Sequence, residues 1–158
     1  MAGGLNRDHL DLLQAFIDAE VRFLVVGAHA VGYHAQPRAT GDLDLWIEPS
    51  AENARKAHSA LATFGAPLHD LSVEDLTMPG VVFQMGLVPN RIDVLNDISG
   101  VRFADAWRTR VEATLEGLVV PIIGFEQLLA NKRAAARPKD VADVDVLERV
   151  ARAKRRKI

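Results

Sequence analysis

Apolar residues recur along this chain with two different periods, and each change of period marks a new element. Between Asp8 and Ala19 they fall at Leu10, Leu13, Phe16 and Ile17, the spacing of one helical face. Arg22-Phe-Leu-Val-Val-Gly27 is a short run of apolar and β-branched residues closed by glycine, which predicts a buried strand. Ala28 to Ala35 predicts a short helix that Pro37 stops. Asp42-Leu-Asp-Leu-Trp-Ile-Glu48 alternates acidic and apolar positions for most of its length, the period of a strand. Ser50 is placed to cap a helix that turns Ala54, Ala57, Leu61 and Phe64 inward.

The second half continues in the same manner. Gly65 to Pro79 has little period, with one helical turn expected near Val73 to Leu76. Val81 to Leu87 and Arg91 to Asn96 predict two strands joined as a hairpin through Val88-Pro89-Asn90. Phe103 to Arg108 predicts a short helix, and Val111 to Ile123 holds strand-like runs broken at Glu116-Gly117. Phe125 to Ala136 predicts a helix. Pro138 then opens another, with Asp140 in its first turn and Val141, Val144, Leu147 and Val150 as its buried stripe. Strands interleaved with helices imply an α/β or α+β fold, a mixed sheet flanked by helices with two helices at the C-terminal end.

Composition narrows the classes. A chain of 158 residues is enough for one domain and too short for two ordinary ones, so a single domain over 1–158 is expected, with a basic tail over 152–158. Hydrophobic residues at 49% and charged residues at 25% argue against wholesale disorder. The absence of cysteine excludes a disulfide framework, a thiolate zinc site and a cysteine nucleophile together. A net charge of -2 announces no global attraction for nucleic acid. Positive charge is nevertheless concentrated at Lys132, Arg133, Arg137 and Lys139, and again from Lys154 to Lys157. No charge-free apolar run approaches the roughly 20 residues that span a bilayer, and no secretory leader is visible, so a soluble, cytoplasmic protein is expected.

The candidate chemistry lies between Val25 and Glu48. Asp42 and Asp44 are two apart on a strand, so both carboxylates emerge on one face while Leu43 and Leu45 point into the core. Paired carboxylates repel, and a hard divalent cation with a preference for oxygen ligands resolves the repulsion. Just upstream, Gly27-Ala28 lies where a strand hands over to a helix, and backbone amides at a helix start favour an anion. Asp93 is a third carboxylate on a strand, set between Ile92 and Val94. Its plainer reading is a buried ion pair with Arg91 or Arg38, and Asp97 competes for the role of third acid. For Asp42 and Asp44 the plainer reading is a solvated strand edge. A metal with a nucleoside triphosphate accounts for both features of the segment.

Gly27-Ala28, then Asp42-Leu-Asp44, then Ile92-Asp93-Val94 resembles the signature of the polymerase-β-type nucleotidyltransferase superfamily. The longer text GAHAVGYHAQPRATGDLDLWI, with ISGVRFADAW and NKRAAARPKDVADVDVL, resembles the small bacterial AbiEii-like, toxin-type nucleotidyltransferases. The resemblance implies two Mg²⁺ ions (Mn²⁺ as a substitute) on Asp42, Asp44 and Asp93, with these three residues catalytic. It places an NTP on Gly27 and Ala28. Arg38, Thr40, Lys132, Arg137 and Lys139 are candidates to hold its phosphates. The acceptor is a hydroxyl on an RNA end such as tRNA, on a protein, or on a small molecule. A homodimer or a protein partner such as an antitoxin is expected to complete so small a site. The superfamily often has serine where Ala28 stands, so only the backbone N–H is carried over there. Two other classes remain open, a nucleotide- or partner-binding protein without catalysis and a glycosyltransferase using Asp-x-Asp.

Overall fold

Asn6 opens the first helix, α1 (Arg7–Asp18), in the computed structural model, which describes residues 4–36 and 41–156. Its side chain accepts from the His9 N–H, and the His9 ring accepts from the Asn6 N–H in return, closing a capping box. The buried face is His9, Leu12, Leu13 and Phe16, turned from the expected one; Leu10 and Ile17 are only half-buried.

The remaining elements follow the periods closely. They are β1 (Phe23–Val26), α2 (Gly27–His34), β2 (Leu43–Ile47), α3 (Ala51–Phe64), β3 (Val82–Met85) and β4 (Ile92–Leu95). After them come α4 (Phe103–Arg108), β5 (Val111–Leu115), β6 (Leu118–Ile122), α5 (Phe125–Ala135) and α6 (Pro138–Arg156). Ser50 caps α3 by accepting from the Asn53 N–H, and Gly65 ends it in the left-handed conformation at φ 98°. A single 3-10 turn at Asp75–Thr77 interrupts the stretch without period.

The six strands form one mixed sheet in the order β3-β4-β2-β1-β6-β5. β1 runs antiparallel to β2 and parallel to β6, β2 runs parallel to β4, and the two outer hairpins are antiparallel. One face carries Phe23, Val25, Leu43, Leu45, Ile47, Ile92 and Val94, all buried, and Phe16 of α1 meets Phe23 edge to face there. On the other face Trp46 packs edge to face on Phe103 of α4, which itself stacks on Trp107. Beside that aromatic stack, the second face carries the acidic residues.

The last helix departs from expectation. Its buried residues are Asp140, Asp143 and Leu147, while Val141 is 59% exposed and Val144 and Val150 are half-buried. The helix is rotated so that two carboxylates face inward, because α5 offers them a cation. The expected basic tail is helical as far as Arg156, so most of it is the final turns of α6. No helix among the described residues is long and apolar enough to cross a membrane.

Candidate active site

The sheet register builds the site. Val26 of β1 is opposite Asp44 of β2, Asp44 is opposite Asp93 of β4, and Asp93 is opposite Gln84 of β3. Residues paired this way share a face of the sheet, so Asp44 and Asp93 are neighbours across a parallel pair. Asp42 precedes β2 by one residue, and its Oδ1 accepts from the backbone N–H of Arg91 at 2.9 Å. This row forms the floor of a cleft of about 740 Å³.

Gly27 makes room for the row. Its φ is +68°, a conformation that L side chains rarely adopt, and a Cβ there would collide with Oδ2 of Asp44. The strand-to-helix turn therefore folds directly over the Asp44 carboxylate. Val26, at the N-cap of α2, makes no side-chain cap hydrogen bond, and Gly27 and Ala28 of the first turn line the cleft.

Burial is the main cause that pushes the Asp44 carboxyl up to about 6, the neighbouring Asp93 adds to it, and Lys139 and Lys132 oppose it. Asp93, 10% exposed at its side chain, is paired. Arg91 Nε donates to its Oδ1 at 2.8 Å and Nη2 to its Oδ2 at 3.3 Å, and the Gln84 amide lies 3.4 Å from Oδ2. The same guanidinium stands 3.9 Å from Asp42 Oδ2. The ion pair between Asp93 and Arg91 is thus present, beside Asp42 and Asp44.

The opposite wall comes from α5 and α6. Lys132, 6% exposed, bridges Asp140 Oδ1 at 3.2 Å and Asp143 Oδ2 at 3.1 Å. Arg137 donates to Asp140 through Nε at 2.6 Å and through its backbone N–H at 3.2 Å. Burial raises the Asp140 carboxyl, but hydrogen bonds from Arg137 and Lys132 overcome it and hold the group at about 2. Lys139 lines the same wall and makes no ion pair among the described residues. Of the sequence-derived phosphate contacts, Lys132, Arg137 and Lys139 thus face the cleft, the first two while bound to acidic partners. Arg38 and Thr40 lie outside the described residues. Asp97, the rival third acid, is exposed at the rim with Ile98 and Ser99.

One residue was underrated by the sequence. Arg91 stands two before Asp93, the spacing that puts both on one strand face, and that period was its available signal. On α2, the His29 Nε2 is buried with no hydrogen-bond partner among the described residues, and its ring meets His9 edge to face at 6.2 Å. Burial first, and His9 second, lower the His29 imidazole to about 4. His34 Nε2–H donates to the Ile123 carbonyl at 2.7 Å, tying α2 to the end of β6.

The donor set suits a divalent cation in kind, since three carboxylates face one cleft with a single guanidinium among them. No group of three or more His, Cys, Asp or Glu among the described residues is gathered closely enough to hold one as they stand. Arg91 donates to both oxygens of Asp93, so an ion held on this set would compete with that guanidinium.

The same arrangement of chain is found in other proteins. The lincosamide antibiotic adenylyltransferase LnuA, solved with lincomycin bound, superposes with a TM-score of 0.58 at 14% identity, covering 93% of this chain and 99% of that one. A Thermotoga maritima protein described as a nucleotidyltransferase gives a TM-score of 0.55 at 12% identity, over 91% of this chain and 90% of its own. An antigenic nucleotidyltransferase-like protein from Paracoccidioides brasiliensis gives 0.50 at 16% identity, over 90% and 77%. These likenesses establish the nucleotidyltransferase fold. No curated protein sequence matches the chain. Residues 6–158 match a family model, and the chain belongs to the family described as nucleotidyl transferase of unknown function (DUF2204).

Proposed function

We propose that this nucleotidyltransferase moves a nucleoside monophosphate from an NTP to a hydroxyl acceptor, with divalent cations held by Asp42, Asp44 and Asp93. The observation that supports the reading is the direct cross-strand pairing of Asp44 with Asp93 on the floor of a cleft whose far wall is cationic. Acidic floor and basic wall suit the two ends of a metal-bound triphosphate.

The chain's own residues have separable tasks in this reading. The amides of Gly27 and Ala28 receive the triphosphate, and Lys139, with Lys132 and Arg137 behind it, neutralises the departing pyrophosphate. Asp93 orients the acceptor hydroxyl and takes its proton. The acceptor oxygen bonds to the α-phosphorus while the bond from that phosphorus to the β-phosphate oxygen breaks, and pyrophosphate leaves with the electron pair. Bound Mg²⁺ or Mn²⁺ supplies charge stabilisation to the attacking and leaving oxygens.

The whole chain acts as one catalytic domain on this reading, in the cytoplasm. The acceptor is a macromolecular end such as tRNA or a small hydroxyl compound. LnuA, solved with its antibiotic, lends weight to the small molecule, and the toxin-type resemblance to RNA. A second copy or an antitoxin-like protein would complete the acceptor side.

The test is transfer of label from each α-³²P-NTP, with Mg²⁺, to total tRNA, to protein and to an aminoglycoside, alongside pyrophosphate release. Label transfer by the wild type that disappears in Asp44→Asn supports the reading. Failure of all four NTPs to bind with Mg²⁺ would sink it in favour of a protein that keeps the fold without the reaction.

A further inference from the structure

One cation serves two of the three carboxylates. Arg91 grips both oxygens of Asp93, approaches Asp42 Oδ2, and anchors Asp42 Oδ1 through its own backbone N–H. Its side chain is 31% exposed while that of Asp93 is 10% exposed, so the guanidinium reaches in from the cleft mouth and has solvent to withdraw into. A planar fork matches a carboxylate well, yet it competes for the same lone pairs that a metal ion needs.

We propose that Arg91 is a positioning residue that acts as a built-in counter-ion for Asp93 and Asp42, and surrenders these carboxylates when a divalent cation enters the cleft with a nucleotide. The inference rests on the reading of Asp42, Asp44 and Asp93 as the cation-binding set. While the fork is in place, only part of the set is offered to an ion, and apparent affinity falls by the fraction of molecules that are competent. Phosphate oxygens arriving with the ion add ligands and tip the exchange. Free cation alone therefore loads poorly, and the metal–nucleotide pair loads well. The backbone bond from Arg91 to Asp42 does not involve the side chain, so the strand keeps its register during the exchange.

Free-ion electron paramagnetic resonance measures Mn²⁺ binding without nucleotide in the wild type, Arg91→Gln, Arg91→Lys and the double variant Arg91→Gln/Asp93→Asn. Arg91→Gln should bind Mn²⁺ roughly tenfold more tightly than the wild type, Arg91→Lys should fall between, and the double variant should lose the gain. Unchanged or weaker binding by folded Arg91→Gln would overturn the exchange. A second measurement needs no variant. The Arg91 Nε–Hε resonance of the wild type should shift, and exchange faster with solvent, when Mg²⁺ and a non-hydrolysable ATP analogue are added together. If the pair binds and that resonance stays fixed, the exchange is wrong and the cation-binding reading survives. If neither Mn²⁺ nor the Mg²⁺–analogue pair binds the wild type, both are wrong.

Discussion

Asp44 and Asp93 occupy paired register positions on parallel strands, and among the described residues only Asp93 of the two forms an ion pair. The unequal treatment separates their behaviour. Asp93 is compensated by direct contact with Arg91, whereas Asp44, relieved only through space by Lys139 and Lys132, carries a disfavoured charge next to another.

Asp44→Asn should therefore steady the metal-free protein while abolishing transfer. The Asp44 carboxyl is pushed up to about 6, so its ionised form is disfavoured by the fold, and the penalty grows as pH rises from its ordinary range through that value. Urea unfolding in EDTA at pH 7.5 should show Asp44→Asn more stable by about 1–2 kcal/mol, with the gap narrowed to roughly a third at pH 4.5. A less stable variant at pH 7.5 would mean that the carboxylate is held by structure and not merely tolerated.

His29 should pull the other way over the same range. Its imidazole is held at about 4, so the unfolded chain takes up the proton first, and stability falls as pH drops from about 6.5 towards 4. In Asp44→Asn, where the opposing carboxylate no longer titrates, the fall should stand out. Adding His29→Gln should flatten it by about 1–2 kcal/mol between pH 7 and 4.5. Equal slopes with and without His29 would remove it as the cause.

Lys132 and Lys139 face the same cleft and should fail differently. Lys132→Met leaves Asp140 and Asp143 buried without their shared cation, and should destabilise the fold by about 3–5 kcal/mol. Lys139→Ala breaks no ion pair among the described residues, so its melting point should barely move while NTP affinity weakens several-fold. Calorimetric titration with a non-hydrolysable NTP and Mg²⁺ checks the second expectation; unchanged affinity would remove Lys139 from the phosphate wall.

At the strand-to-helix turn, Gly27→Ala combines a left-handed backbone with a Cβ driven into the Asp44 carboxylate. It should be destabilised by about 2 kcal/mol and lose transfer activity. Ala28→Ser, one residue on, should keep the stability of the wild type and add a hydroxyl donor for a phosphate, strengthening NTP binding a few-fold. Thermal melts with paired binding titrations distinguish the two; a Gly27→Ala variant as stable and active as the wild type would remove the need for close approach.

Much of this was legible in the sequence because it was local. Asp42 and Asp44 stand out since a strand's period of two fixes which way a side chain points, and the turn at Glu116-Gly117 and the span of Phe103 to Arg108 follow from equally short-range rules. Distance defeated the rest. Nothing in the strand near Val25 announces that its parallel neighbour is Ile122. The stripe on α6 was misread because a hydropathy pattern credits Val141 and discounts Asp140, whereas Lys132 of another helix decides which of them is buried. In α1, the capping box from Asn6 to His9 put an imidazole where only apolar residues were counted.

The pairing of Val25 with Ile122 also sets an order of assembly. A chain emerging from the ribosome exposes one edge of β1 until β6 has been made, and closing so long a loop is a slow step. The basic wall from Lys132 to Lys139 is translated later still. Throughout that interval the acidic floor lies without its cationic wall. A nascent or prematurely stopped chain would thus present an open sheet edge beside an unbalanced row of carboxylates, and an open edge invites pairing with another chain.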